Sequence, residues 1–280
     1  MRLPDWIGAT RVAHQHNTKR LLRKHGLLTV CEDARCPNKS MCFTKPTATF
    51  MILGQSCTRT CGFCSVKGTV PGPVNRSEPE QIACAAEEMR LAYIVITSVT
   101  RDDLPDGGAS HFARTIVTLR KRLPQAKVEV LTPDFKGNDD AVKVVVDACP
   151  DVFNHNMETV RRLYPIVRPH ADYLRSLSIL RKAKDFSSEI HTKSGFMLGL
   201  GESMHEVHRL LKDLRKVGCD FITIGQYLRP TKNNLPVVKY IKPAVFDTLK
   251  VTGIQMGFRH VSSGPLVRSS MNADELYEYI

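Results

Sequence analysis

Six cysteines of this chain are crowded into one short stretch near its start. The chain has nine cysteines in 280 residues, so an even spread would place about one of them between residues 31 and 64. That stretch holds two groups of three, the first triplet (Cys31, Cys36 and Cys42) and the second triplet (Cys57, Cys61 and Cys64). The first residues lack the continuous apolar run of a secretory signal, so we expect reduced thiols that bind metal.

The second triplet has the spacing C-x3-C-x2-C, in the sequence Cys57-Thr-Arg-Thr-Cys61-Gly-Phe-Cys64. Three thiolates on one short loop can bind three irons of a cubane [4Fe–4S] cluster and leave the fourth iron without a protein ligand. An open metal position is typical of catalytic sites. Phe63 offers an apolar face beside such a cluster. Zinc is the alternative, but zinc prefers four ligands, and the sequence has no fourth one nearby.

The first triplet has the spacing C-x4-C-x5-C, and again it is one ligand short of four. One cluster with an open iron suffices for a catalytic site, so a second cluster needs a purpose of its own. Electron relay and donation of sulfide are both open, and so is the alternative that these three cysteines carry no metal.

The two triplets flank the first of a series of predicted strands. Short β-rich runs alternate with amphipathic helical patterns from residue 48 onward, which indicates a parallel sheet covered on both faces. The predicted strands are Ala48–Leu53, Tyr93–Val99, Val128–Thr132, Val152–Asn156, Gly195–Leu200 and Phe221–Tyr227. The predicted helices between them are Pro79–Arg90, Ala109–Arg122, Asp139–Ala148, Ala171–Lys184 and Ser203–Val217.

Six βα units are too few for an eight-stranded barrel, so we predict an α/β fold: a partial (β/α)6 TIM-type barrel with N- and C-terminal extensions. The predicted organisation is one integrated domain, in which residues 1–47 carry the first triplet, residues 48–240 form the barrel and residues 241–280 form the C-terminal extension. Within the last part, Pro243–Met256 reads as a helix and Arg259–Ser263 as a further strand. Chemistry is expected where the strands end and the loops begin.

The overall charge favours an acidic partner. The chain has 40 lysines and arginines against 28 acidic residues, a formal net charge of +12. Basic residues are spread along the chain, so charge alone does not separate nucleic acid, a phosphate-bearing ligand and an acidic protein. No stretch approaches the roughly 20 apolar residues of a membrane-spanning helix. We expect a soluble, cytoplasmic protein, or one of an organelle matrix if a targeting peptide has been removed.

The combination of the two triplets is more specific than either alone: it resembles the lipoyl synthase family of the radical S-adenosylmethionine superfamily. The resemblance runs from about residue 4 to residue 274. Other stretches agree with it, among them Ala48–Gly54, Val95–Val99, Arg101–Leu104, Asp151–Asn156, Thr192–Gly195, Gly199–Glu202, Gly225–Leu228 and Gly264–Ser270.

The resemblance implies ligands for two [4Fe–4S] clusters. The second triplet would hold the radical-generating cluster, whose open iron binds S-adenosylmethionine. The first triplet would hold an auxiliary cluster, and a serine of an Arg-Ser-Ser-Tyr motif would be its fourth ligand. The matching residues are Arg268-Ser269-Ser270-Met271, and the ligand is carried over to Ser270, with Ser269 as the second choice. Met271 departs from the tyrosine of the family.

The ends of the predicted strands, read with the resemblance, predict residues that contact S-adenosylmethionine. Small residues would let backbone approach the adenine, and amide or carboxylate groups would bind the ribose hydroxyls. The predicted cofactor-binding residues are Phe63, Asp102, Asn154, Asn156, Glu158, Gly199, Gly201, Glu202 and Gln226. His155 is expected to be a packed histidine, not a ligand.

The activity that the resemblance implies is insertion of sulfur at C6 and C8 of an octanoyl group on a lysine of a lipoyl-carrier protein or domain. An aliphatic C–H bond cannot usefully be deprotonated, so a cofactor-derived radical must remove the hydrogen atom. The auxiliary cluster would supply the sulfur. The implied partners are the octanoylated carrier, a small electron donor of the ferredoxin or flavodoxin type, and an iron–sulfur carrier for cluster repair. No nucleic acid or membrane partner is expected.

Two other functions stay open at this point. Another radical S-adenosylmethionine enzyme, sulfur-inserting or methylthiolating, would share the second triplet but not the spacing of the first. A zinc-binding nucleic-acid module would explain the thiols and the charge without any catalysis, and it would be colourless, whereas two [4Fe–4S] clusters would give a brown protein with about eight irons.

Overall fold

The computed structural model describes residues 3–8, 16–29, 32, 34–38, 42, 49–271 and 273. Cys31 of the first triplet lies outside the described residues. None of the helices in the described part of the chain has the length and apolar character that crossing a membrane would require.

The chain forms one large sheet of eight strands and one small sheet of two. The strands are β1 (Leu28–Thr29), β2 (Thr49–Ile52), β3 (Ser56–Cys57), β4 (Lys67–Gly68), β5 (Tyr93–Ser98), β6 (Lys127–Leu131), β7 (Val152–Asn154), β8 (His191–Leu198), β9 (Phe221–Gln226) and β10 (His260–Ser263). The order in the large sheet is β1-β2-β5-β6-β7-β8-β9-β10, and β3 pairs with β4. Seven neighbouring strands of the large sheet, β2 and β5 to β10, run parallel, and β1 pairs antiparallel with β2 at one end.

Helices alternate with the parallel strands. They are α1 (His16–Lys24), α2 (Glu78–Glu88), α3 (Ala109–Arg122), α4 (Asp139–Asp147), α5 (Tyr164–Val167), α6 (Tyr173–Phe186), α7 (Met204–Lys216) and α8 (Pro243–Gln255). Six βα units and a seventh parallel strand, β10, confirm the predicted partial TIM-type barrel. Among the described residues, β1 and β10 do not pair with each other, so the sheet stays open.

The strands bury apolar side chains on the face that the helices cover. Val128 and Val130 of β6 pack into a cluster with Ile116 of α3 and Val142 of α4, and all four are buried. Around β8 and β9 a second apolar cluster includes the buried Ile222. Both clusters follow from the β-branched runs that predicted the strands.

The other face of the sheet carries polar residues into the barrel interior. Glu129 of β6 and Lys193 of β8 form an ion pair in which Lys193 Nζ lies 3.0 Å from each carboxylate oxygen. The Tyr93 hydroxyl and the Asn154 side-chain amide also donate to Glu129, each at 2.8 Å. Glu129 and Lys193 are almost completely buried. Strand β8 begins at His191, earlier than the predicted Gly195, because residues 191–193 pair with Val152–Asn154 of β7 although they are polar.

Candidate active site

A cavity of about 490 Å³ opens at the carboxyl ends of the parallel strands. Its lining brings together Cys36 of the first triplet, Cys64 of the second, and Ser270 near the end of the chain. Phe63, Asn156 and Glu158 also line it. Residues from three distant parts of the sequence therefore share one enclosure at the end of the barrel where chemistry was expected.

Backbone N–H groups point at two sulfurs of the second triplet. Cys57 Sγ lies 3.4 Å from the N atoms of Arg59 and Thr100, and Cys64 Sγ lies 3.4 Å from the N atom of Val66. The Val66 N–H favours the thiolate of Cys64, but burial opposes it more strongly. The backbone donors thus fix the positions of both sulfurs on the loop.

Hydrogen bonds attach one side of the second-triplet loop to two later parts of the chain, around Val167 and around Leu235. The Gly62 N–H donates to Val167 O at 2.9 Å, and Gly62 O accepts from the Leu235 N–H at 2.9 Å. Asn234 Nδ2 donates to Cys64 O at 2.7 Å. A Cβ at position 62 would lie 2.7 Å from Leu235 Cδ1, so the close approach requires glycine.

Arg59, inside the second triplet, fastens the other side of the same loop. Its guanidinium donates to both carboxylate oxygens of Asp102, at 2.7 and 2.9 Å, and to Asp134 at 2.6 Å. Burial disfavours ionisation of Asp134, but the hydrogen bond and the charge of Arg59 outweigh it and lower the pKa of Asp134 to about 2. The three residues tie the loop to the ends of β5 and β6.

The pKa values of two thiols of the second triplet, Cys61 and Cys64, are raised above the ordinary value. Burial raises the pKa of Cys61, and burial with repulsion from Cys61 and Cys57 raises the pKa of Cys64 to about 12. Bound iron would offset both effects, as metals do for thiolate ligands generally.

The possible ligands in the described part of the chain do not converge on one point. In the described part of the chain, no three histidine, cysteine, aspartate or glutamate side chains are placed so that they could hold one metal ion in common. In a cubane each thiolate binds its own iron, so three ligands of a cluster need not converge on one point.

The loop of the first triplet is attached to the C-terminal segment by Asn38, a buried residue. Its side-chain Nδ2 donates to Leu266 O at 2.5 Å and to Met271 Sδ at 3.0 Å. Its backbone carbonyl oxygen accepts from the Cys42 N–H at 2.9 Å. Met271, the residue that departs from the family tyrosine, thus contacts the first triplet through its sulfur. Cys36 and Cys42 are both half-buried.

The comparisons with known proteins agree with this geometry. Residues 51–214 match the family described as the Radical SAM superfamily. Lipoyl synthase of Caldicellulosiruptor saccharolyticus is 54% identical over 279 residues, which are 99% of this chain and 98% of that protein. Lipoyl synthase of Rubrobacter xylanophilus is 54% identical over 277 residues, 99% of this chain and 84% of that protein. The chain belongs to the lipoyl synthase family.

The fold is shared more widely than the family. The crystal structure of methylornithine synthase (PylB) superposes with a TM-score of 0.58 at 12% identity, covering 92% of this chain and 77% of that one. HydG, a maturase of the [FeFe]-hydrogenase, superposes with a TM-score of 0.60 at 14% identity, covering 89% and 62%. As a family member, the chain is a radical S-adenosylmethionine enzyme that inserts sulfur. Its cofactors are S-adenosylmethionine and iron–sulfur clusters.

The two serines of the family motif have different surroundings. Ser269 Oγ accepts from Asn156 Nδ2 at 2.7 Å. Ser270 lines the same cavity as Cys36, and no described residue hydrogen-bonds to its hydroxyl. The choice of Ser270 over Ser269 as the cluster ligand stays a prediction, and this difference favours it.

Asn156, Glu158 and His155 follow β7 and lie close together. Asn156 Nδ2 also donates to Glu158 Oε1 at 2.9 Å, and burial raises the pKa of Glu158 against the opposing charge of Arg168. His155 donates through Nδ1 to Thr132 O at 2.9 Å. Burial and the charge of Arg168 lower the pKa of His155 to about 4, so it is neutral at pH 7, as suits a packed histidine.

The other six predicted cofactor residues are outside the lining of this cavity and make local contacts. Asp102 binds Arg59, and Asn154 donates to Glu129 in the barrel interior. The remaining four, Gly199, Gly201, Glu202 and Gln226, lie around the turn after β8. Glu202 accepts from the N–H groups of Gly199 and Leu200 at 2.6 and 2.9 Å, Gly201 O accepts from Arg162, and the Gln226 amide bonds Tyr227 O, Lys239 O and the Ile241 N–H. Their contact with S-adenosylmethionine stays a prediction.

Sequence reasoning missed three residues that hold the site. Arg59 was visible as the one charged residue inside the second triplet, and Asn38 as an amide inside the first. Asn234 had no signal at all, since nothing local indicates that its loop reaches the second triplet. These residues act through contacts between distant segments, which spacing does not show.

Proposed function

We propose that this chain inserts two sulfur atoms into an octanoyl group, at C6 and C8, while that group is attached to a lysine of a lipoyl-carrier protein or domain. The observation that carries the proposal is the single cavity lined by Cys36, Cys64 and Ser270. A radical must be generated and a sulfur donated within reach of the same carbon chain, and only such an enclosure allows both.

The residues divide into two ligand sets. Cys57, Cys61 and Cys64 hold the radical-generating [4Fe–4S] cluster, and its open iron leaves room for S-adenosylmethionine. The auxiliary [4Fe–4S] cluster is held by Cys31, Cys36, Cys42 and Ser270. When bound, these cofactors supply a primary carbon radical and sulfide, which no side chain can supply.

The cavity wall suits an aliphatic substrate. Phe63, Val66, Phe196, Met197 and Leu228 give it an apolar lining. An octanoyl chain buried against them leaves water, which favours binding and also keeps water away from the reacting carbons. The wall holds the octanoyl group between the two ligand sets. There C6 and C8 each lose one hydrogen atom and gain a bond to sulfur.

The rim of the cavity suits an acidic carrier. We call residues 229–242, which begin at the cavity lining after Leu228, the rim loop. The rim loop has four exposed basic residues, Arg229, Lys232, Lys239 and Lys242, and the chain has no acidic residue from 221 to 246. None of the three lysines forms an ion pair with a described residue. Opposite charge speeds the encounter of two proteins and fixes their orientation.

Further partners follow from the same chemistry. Each radical requires one electron, which a ferredoxin- or flavodoxin-type protein would supply. An auxiliary cluster that gives up its sulfide must be rebuilt, and an iron–sulfur carrier would do this. Free thiols need a reducing compartment, so we place the protein in the cytoplasm, or in an organelle matrix.

One anaerobic assay tests the function. Reconstituted protein is incubated with an octanoylated carrier, S-adenosylmethionine and dithionite, and the carrier is analysed by mass spectrometry. We expect a gain of two sulfurs. Cys64→Ala should abolish cleavage of S-adenosylmethionine, whereas Cys36→Ala should leave cleavage in place and yield no sulfur product. Sulfur insertion by the Cys36→Ala variant would show that the first triplet is not the donor.

A further inference from the structure

The C-terminal segment of residues 264–271 is hydrogen-bonded to the barrel through Gly264 and Pro265, which bond the backbone of β9, and through Ser269, which bonds Asn156. Asn156 Nδ2 donates to Ser269 Oγ at 2.7 Å and to Glu158 Oε1 at 2.9 Å. Asn156 is 8% exposed, and its Oδ1 is buried without a hydrogen-bond partner among the described residues. Both N–H bonds of this amide are therefore committed to protein groups.

Gly195 of β8 lies directly beside this contact. A Cβ on Gly195 would lie 2.8 Å from Ser269 Oγ, 2.9 Å from Asn156 Oδ1 and 2.5 Å from Thr223 Oγ1. Any larger residue would therefore displace Thr223, Ser269 or Asn156. The barrel has a fitted recess for the Ser269 side chain, formed by Asn156, Gly195 and Thr223, which we call the serine seat.

The opposite side of the segment is held by the first triplet. Asn38 donates to Leu266 O and Met271 Sδ, on either side of the two serines. Asn38 thus holds the segment at Leu266 and Met271, the backbone of β9 holds it at Gly264 and Pro265, and Asn156 holds the side chain next to Ser270. Between these contacts Ser270 faces the cavity that Cys36 also lines.

We propose that Asn156 is a positioning residue: its amide holds Ser269 in the serine seat, and the neighbouring Ser270 is thereby presented to the metal site of the first triplet. This inference rests on the proposed function, because it takes Ser270 as the fourth ligand. It differs from the expectation that Asn156 contacts S-adenosylmethionine.

The physical reason is pre-organisation. A serine oxygen is a weak ligand compared with a thiolate, so it binds iron well only if the chain already holds it in place. A free segment would lose conformational freedom on every binding event, and that cost would weaken the ligand. Fixing Ser269 removes most of this cost for Ser270, because adjacent residues share one peptide bond.

The test uses the full chain with Cys57, Cys61 and Cys64 replaced by alanine, so that only the first triplet can hold a cluster. Asn156→Ala and Ser269→Ala are added separately, and Asn75→Ala, an exposed asparagine away from the cavity, is the control. After anaerobic reconstitution, the rate of iron loss to a chelator is measured. We expect about tenfold faster loss for both seat variants, the effect of one hydrogen bond, and no change for the control.

A second measurement separates positioning from cofactor binding. In the chain with all six cysteines, the Kd for S-adenosylmethionine is measured for Asn156→Ala and Ser269→Ala. We expect both values within about twofold of the unmodified protein. The Asn156→Ala, Ser269→Ala double variant should lose iron no faster than either single variant, because both remove the same bond.

Each alternative outcome has a definite meaning. Weakened cofactor binding with an unchanged rate of iron loss in Asn156→Ala assigns the residue to S-adenosylmethionine and overturns the proposal. Fast iron loss in Ser269→Ala but not in Ser270→Ala makes Ser269 the ligand and overturns it as well. If Ser269→Ala and Ser270→Ala both retain iron as well as the control does, the ligand assignment in the proposed function has failed. If Asn156→Ala does not fold, Ser269→Ala and Gly195→Ala decide by the same measurement.

Discussion

Arg59 shows how much one buried side chain can contribute to the site. Its guanidinium is 5% exposed and joins Asp102 and Asp134, whose carboxylates follow β5 and β6. Burial opposes the charged form of Arg59, but the hydrogen bonds and charges of the two aspartates raise its pKa above the ordinary value. Arg59 therefore connects the second triplet to the rigid barrel.

Replacing Arg59 should destabilise the chain strongly. In Arg59→Met the fully buried Asp134 keeps only Arg175 as a charged partner, and breaking a buried ion pair in this way costs about 3–5 kcal/mol. Urea unfolding of the cluster-free chain measures the loss. The control is Arg162→Ala, which breaks the exposed pair with Glu206 and should cost less than about 1 kcal/mol. Equal losses for the two variants would contradict the role given to Arg59.

The same ion pair predicts a dependence of stability on pH. The pKa of Asp134 is lowered to about 2 in the folded chain, so its stabilisation is present above its ordinary pKa and is lost as the pH falls through about 2. Between pH 5 and pH 2 the unmodified chain should lose about 2 kcal/mol more free energy of unfolding than Asp134→Asn. Parallel curves for the two proteins would show that Asp134 is not the titrating group.

At the scale of elements, the inner face of the barrel is held by an ion pair that spans two strands. Glu129 of β6 accepts from Lys193 of β8, across β7, and also from Tyr93 and Asn154. The sheet is thereby fixed beneath the cavity. A short, well-packed polar layer of this kind keeps the strand ends, and the loops on them, at constant distances.

Removing one partner should be worse than removing both charges. Lys193→Met leaves the Glu129 carboxylate buried without its cation and should cost about 3–5 kcal/mol in urea unfolding. The double variant Lys193→Met with Glu129→Gln should recover most of this, since the amide still bonds Tyr93 or Asn154. A double variant as unstable as the single one would mean that packing, not charge, is lost.

At the scale of the whole molecule, charge is the property that bears on the partner. The net charge of +12 is not uniform, because the rim loop has basic residues and no acidic ones. An acidic carrier would therefore be drawn to the end of the barrel that holds the cavity.

Charge reversal at the rim tests this. Lys232→Glu with Lys239→Glu should weaken binding of the octanoylated carrier about tenfold at low salt, and the difference should shrink at high salt because exposed charges are screened. The control, Lys121→Glu with Lys212→Glu, has the same net charge but changes residues of helices α3 and α7 and not of the rim loop. We expect less than about threefold weakening for it. Calorimetry measures both, and equal effects would exclude docking at the rim.

Local patterns were sufficient for most of the secondary structure. Ala109–Arg122 was predicted and found with the same bounds. The helix predicted from Ala171 begins at Tyr173, because the Asp172 side chain accepts from the Arg175 N–H and caps it. The short strands β3 and β4 were not predicted, since pairs of two residues have no periodicity.

The sequence by itself determined the alternation of strands and helices, the open barrel, and the two triplets whose spacing marks metal chemistry, because each depends on residues close together in the chain. Only the tertiary structure decided that Cys36, Cys64 and Ser270 share one cavity, that Asp102 binds Arg59, and that Asn156 holds Ser269. These segments are far apart in the sequence: Cys36 and Ser270 are separated by 234 positions and line the same cavity. Which distant segments meet is determined by how the strands and helices pack, and local residue spacing carries no information about that.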